Sequence, residues 1–242
     1  MHTRPAPNFR GTSLIRSPLL HGLLAVVLPT SVLAAGVQID PHADLLYRQA
    51  VSLLEQADNQ SASFTLKTST TDQDLAQQGQ ALGRTLAPAV SLLKKAVELD
   101  HPAAQYRLAL YYITYLPAAQ ISAAACPLLE ASMGQGFAPA ALGIENWCPN
   151  YSRSDYRNAL ESVPNLASLY APYYPQPAVR LLCHREQPQG LAMQWGRQRD
   201  YQAEVYRLLA SADPAQSKAY WQKAVDINGC IAAQRRLASN HY

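Results

Sequence analysis

The stretch KKAVELDHPAAQYRLA, residues 94–109, returns almost letter for letter as QKAVDINGCIAAQRRLA, residues 222–238. An internal repeat of this size outranks any local motif. Each copy is one supersecondary unit whose apolar face can be buried only against a neighbouring copy. Working outward, a second step appears at a shift of 36, where Leu92, Leu93 and Ala96 fall on Leu128, Leu129 and Ser132, and Ala104, Leu108 and Tyr111 fall on Ala140, Ile144 and Trp147. A third match sets QAEVYRLLA (202–210) beside PAAQYRLAL (102–110). Alanine at the first of these positions lets two helices approach closely, and a large side chain one and two turns later fills the gap to the next hairpin.

Helix placement follows the same periodicity. Residues 43–57 carry Leu46, Ala50, Leu53, Leu54 and Ala57 on one face. Residues 59–71 are rich in Ser, Thr and Gln and read as a loop; helical pattern resumes over 72–86 and again over 87–99. Pro102 then opens a helix to Tyr115, since a first turn does not need its missing N–H. Glycine is scarce and alternating strand patterns are absent, so the chain reads as all-α.

Alanine, Leu-Gly or Leu-Ala four positions on, tyrosine, and a second helix with paired Lys-Ala and a closing glycine resemble the Sel-one-like repeat, the 36-residue relative of the tetratricopeptide repeat. Residues 213–237 match best, with Lys218-Ala219, Trp221, Lys223-Ala224 and Gly229 in place. The chain departs from that pattern in three ways. Leu-Ala replaces Leu-Gly at Leu108-Ala109 and Leu237-Ala238 while Leu142-Gly143 leaves its helix's register ambiguous, residues 149–199 fit no repeat well, and the two best copies lie 128 to 129 residues apart, which is not a multiple of 36. The resemblance implies an all-α, right-handed α-solenoid of stacked antiparallel helix pairs that binds a protein, a peptide or an envelope polymer on its inner helix face without catalysis.

Residues 1–34 read as a signal peptide. Arg4, Arg10 and Arg16 precede the apolar run 19–35, which ends in small residues and places a cut before Ala35. A retained anchor is the alternative, but Pro29 interrupts a run already short of the roughly 20 residues a span needs. The first cysteine is Cys126, so no lipid attachment follows the run. The remaining boundaries are 35–86 for N-terminal helices with a polar loop, 87–148 for repeats, 149–198 for a degenerate tyrosine-rich region and 199–242 for a last repeat. The chain has 20 Lys+Arg against 17 Asp+Glu, and loss of the three leader arginines leaves 17 of each. Without a basic run, nucleic acid has no electrostatic footprint, and stable membrane insertion is not expected after cleavage.

Four cysteines in an exported chain predict two disulfides. Cys126 and Cys148 lie about level on an antiparallel pair at roughly 1.5 Å of rise per residue, and Cys183 is left for Cys230. No CxxC spacing supports a metal, and no cofactor is expected. Ser91-x-x-Lys94 spells the serine–lysine motif of penicillin-recognising enzymes, and an envelope hydrolase or β-lactam-binding protein is the alternative function. Its companions are misplaced: Lys67-Thr68-Ser69 precedes it, and Ser154-Asp155-Tyr156 replaces the usual Ser-Asp-Asn. A structural subunit of a larger envelope complex is a further alternative. The 14 tyrosines against 3 phenylalanines favour recognition surfaces. Tyr112, Tyr115, Tyr156, Tyr170, Tyr173 and Tyr174 are the candidate partner-binding residues, the last four in a segment expected to cap one edge of the stack.

Overall fold

Asp40 starts the folded chain by accepting the amides of His42 and Ala43 at 2.7 and 2.9 Å, which caps helix α1 (Pro41–Ala62). The computed structural model describes residues 38–64, 71–184 and 194–239. The expected signal peptide and much of the expected polar loop therefore lie outside the described residues. Helix α1 runs through Asn59 to Ala62, further than the serine-rich composition implied.

Thr71 and Asp74 form a reciprocal capping box at the head of α2 (Asp72–Glu98). The two helices expected over 72–86 and 87–99 are one. Pro88 sits inside it, on the exposed side, where water can satisfy the carbonyl that proline leaves unbonded. Asp100 takes the left-handed conformation (φ 56°) that ends α2. His101 then caps α3 (Pro102–Tyr115), its Nδ1 accepting from the Ala104 amide.

Next come α4 (Ala118–Gly134) and α5 (Ala138–Trp147), joined through Gly136 at φ 83°. The positive φ calls for glycine, and a Cβ there would also lie 2.5 Å from Leu166 Cδ1, so that side chain would have to shift. Helix α6 (Arg153–Ser162) leads through 3-10 turns on either side of α7 (Ala167–Tyr170) into strand β1 (Gln176–Ala178). Strand β2 (Gln194–Gly196) pairs with β1 antiparallel, Pro177 opposite Trp195. Helices α8 (Gln198–Ala212), α9 (Ser217–Asn228) and α10 (Ile231–Ser239) complete the described chain, with Gly229 at φ 74° closing α9.

The protein is thus mostly helical, with one short strand pair among the described residues that the all-α expectation lacked. Each helix from α1 to α5 packs against the next in sequence; α8, α9 and α10 do the same, and α5 and α6 both rest on α8. The 36-residue shift is visible in burial. Leu93 and Ala96 are buried like their counterparts Leu129 and Ser132, and Ala104 and Leu108 like Ala140 and Ile144. Burying each of the leucines contributes about 1.5–3 kcal/mol.

Residues 163–184 do not cap an edge. They enter the core, where Tyr106, Phe137 and Tyr170 form an edge-to-face chain at 5.8 and 5.2 Å, and Tyr174 packs on Tyr201 at 5.6 Å. Tertiary burial, not repeat periodicity, accounts for the tyrosines of this segment.

Candidate functional site

Strand β1 lies against the helices as an extended chain held by side chains. The Tyr106 hydroxyl on α3 donates to the Pro177 carbonyl, and the Tyr201 hydroxyl on α8 donates to the Gln176 carbonyl at 3.0 Å. Gln176 Nε2 in turn donates to the Tyr47 hydroxyl on α1 at 2.8 Å. Burial pushes the Tyr106 and Tyr201 hydroxyls far above the usual phenol range, so both remain neutral donors.

This internal strand leaves clefts on its flanks. One, about 440 Å³, is lined by Leu54 and Asp58 of α1, Leu86 of α2, Arg107 and Tyr115 of α3, and Trp195 of β2. A second, about 360 Å³, lies beside it between α1 and the turn carrying Tyr173 and Tyr174, and shares Arg107 and Trp195. A third, about 400 Å³, opens on the other side of β1 between α3 and α5, near Leu142, Trp147 and Val179.

Arg107 and Trp195 are the most unusual pair here. Arg107 is only 8% exposed, and its Nε has no hydrogen-bond partner. Its guanidinium carbon stands 5.1 Å from the centre of the Trp195 ring, which is itself 42% exposed. Asp58 faces the same cleft. Partial desolvation holds its carboxyl above the usual range, with Arg107 pulling it down and Glu55 pushing it up. Among the described residues no ion pair joins Asp58 to Arg107.

A buried aromatic and carboxylate cluster supports the α1 side. His101 stacks on Tyr47 at 4.7 Å, and its Nε2 is 3.6 Å from Asp44 Oδ1. Tyr173 donates to the same oxygen at 2.9 Å, and Arg48 holds the other at 2.8 Å. Desolvation keeps His101 below the usual histidine range despite the opposing pull of Asp44.

The tyrosines singled out from sequence separate clearly. Tyr115 is 50% exposed and lines the first cleft with Tyr111, while Tyr112 is half-buried. Tyr156 and Tyr170 are buried, donating to the carbonyls of Ala141 and Gln135 at 3.1 and 2.6 Å. Tyr173 is buried and Tyr174 half-buried, and both line the second cleft. Sequence reasoning passed over Arg107, Trp195 and Asp58. Trp195 stands in the region that fits no repeat, and Arg107 reads as an ordinary repeat letter.

Ser91 and Lys94 are both exposed on α2 and line none of these clefts. Cys126 and Cys148 are bonded with Cα atoms 5.1 Å apart, and Cys183 and Cys230 with Cα atoms 4.5 Å apart. Two disulfides point to an oxidising, extracytoplasmic environment. Glu130 lies within 4.8 Å of the Cys126 and Cys148 sulfurs, but thiolate ligation would require that disulfide to open. No helix among the described residues is long and apolar enough to cross a membrane. Comparison with family models, curated proteins and solved structures gives no match, so the reading of this site rests on its own geometry.

Proposed function

We propose that the protein is an exported helical-repeat scaffold that holds a protein or peptide partner, without catalysis, on the helix face bearing α3 and α5. In this reading its helix pairs stack as a right-handed α-solenoid of the Sel-one-like kind, and it acts in the periplasm or outside the cell. The observation that carries the reading is β1. An extended segment already lies on this face, its carbonyls bound by tyrosines from α3 and α8 and its flanks left as apolar clefts. Side chains that bind the backbone of one extended chain suit the same chemistry toward another.

Photo-crosslinking side chains placed at Tyr115 and Val179, both exposed beside β1, test it against the same group at Ser91 and Lys94 on α2. One discrete adduct, formed in the native envelope from the first two positions and not the last two, is the expected result. Equal labelling from both faces, or no adduct from either, would overturn the reading. A labelled penicillin that acylates the protein but not Ser91→Ala would establish the hydrolase alternative instead.

A further inference from the structure

The repeat supplies its own comparison for Arg107. Tyr206-Arg207 on α8 occupies the place of Tyr106-Arg107 on α3. There Glu204, itself buried, receives Arg207 Nε at 2.6 Å. The residue that corresponds to Glu204 on α3 is Ala104, which offers no charge. In the copy on α10 the matching residue, Arg236, is exposed to water. One arginine is neutralised and one lies in open water; Arg107 is buried, with Nε unsatisfied and no ion pair among the described residues. A buried cation without an acid partner is unfavourable, and a position that keeps one is a candidate binding site.

The surroundings of Arg107 restrict what could complete it. Arginine presents a planar fork that carboxylates match in shape and charge. Asp58 and Glu55 line the two clefts that share Arg107, and both repel a doubly charged group such as phosphate. Arg48, the other cation nearby, is held by Asp44. Apart from Ser61 and Thr114, the remaining lining of the larger cleft is apolar or aromatic, with Leu54, Leu86, Leu110, Tyr115 and Trp195 contributing most of it. Its volume of about 440 Å³ falls within the range of small-molecule sites.

We propose that this cleft binds a small monocarboxylic acid with an apolar or aromatic body. The carboxylate accepts from the Arg107 guanidinium that lines the cleft and replaces the partner that Ala104 does not provide, while the body lies against Leu54, Leu86 and Leu110 with Trp195 and Tyr115 over it. This cleft is one of the two flanks of β1 in the partner reading above, but the acid needs no protein partner, and its test reads binding of the small molecule alone.

The probe is 4-phenylbutyrate, with 4-phenylbutyramide as its uncharged counterpart, measured by calorimetry and by tryptophan fluorescence on the purified protein. The acid is expected to bind at least about tenfold more tightly than the amide, the margin of one charge-assisted hydrogen bond. Arg107→Met is expected to abolish that preference while the melting temperature holds or rises, because an unpaired buried charge has been removed. Asp58→Asn, at the exposed lip, is expected to tighten the acid about two- to fivefold and leave the amide unchanged. The second variant keeps the test decisive if the first does not fold. Equal binding of acid and amide, an acid preference that survives Arg107→Met, an acid affinity unmoved by Asp58→Asn, or no binding of the acid at about 10 mM would each overturn the proposal. So would a peptide ending in phenylalanine that binds about tenfold more tightly than the free acid, since the occupant would then be a chain end.

Discussion

His101 does two jobs at one position. Its Nδ1 caps α3 while its ring is sealed between Tyr47 and Tyr173, so the neutral imidazole is the form the fold accepts. Desolvation lowers its pKa in the folded state, and the unfolded chain therefore binds a proton more readily. The stability it contributes is complete above the unfolded value of 6.5 and is lost as pH falls from there toward the lower folded value. His101→Asn retains a good cap and removes the titration. Urea unfolding at pH 8 and pH 5 should then show a smaller loss in the variant than in the native protein. A loss of equal size would assign the acid sensitivity to other groups. Neither role of His101 is legible in the letters DHP, which announce only that a helix begins.

Among the elements, the helices follow from sequence more fully than their neighbours do. The 36-residue shift predicts equivalent buried positions in α2 and α4, and in α3 and α5, because close packing selects the same small and large residues at each step. Leu142-Gly143 is ambiguous in the sequence and specific in the structure: a Cβ on Gly143 would stand 2.6 Å from Leu129 Cδ1, and Leu129 is fully buried. Gly143→Ala should accordingly cost about 1–3 kcal/mol by overpacking the α4–α5 contact, read as a lower urea midpoint with an unchanged slope. Strand β1 had no sequence signature, since QPA is too short to alternate and contains a proline. It exists because Tyr106 and Tyr201 reach its carbonyls. Tyr106→Phe and Tyr201→Phe should each lose about 1–3 kcal/mol, the cost of a buried carbonyl left without a donor. Faster hydrogen exchange at the Ala178 amide, with α9 amides unaffected, would identify β1 as the element released.

At the scale of the whole molecule, two covalent links tie segments that the helical rhythm leaves apart. Cys126–Cys148 closes 22 residues within one helix pair, and Cys183–Cys230 closes 47, joining the chain after β1 to the turn between α9 and α10. The chain-entropy account assigns about 3 kcal/mol to the first and about 4 to the second. Replacing each pair by serine should lower the melting temperature more for Cys183 and Cys230 than for Cys126 and Cys148. The reverse order would mean that native-state packing, not loop closure, governs them. The Cys126 and Cys148 positions can be compared from helix rise alone, because a local hairpin sets their levels; the longer link has no such local rule.

By itself the sequence determined the helical class, the starts of α1, α2 and α3 to within two residues and the equivalent core positions, since periodicity, caps and repeat spacing act over a few turns. Tertiary structure alone decided that residues 163–184 run through the core, that Tyr156 and Tyr170 turn inward while Tyr173 and Tyr174 line a cleft, and that Arg107 lies buried beside Trp195 with no ion pair among the described residues. The reason is physical. An arginine letter is the same on α3, α8 and α10, and only the neighbours brought from distant parts of the chain determine whether it is paired, solvated or left waiting for a ligand.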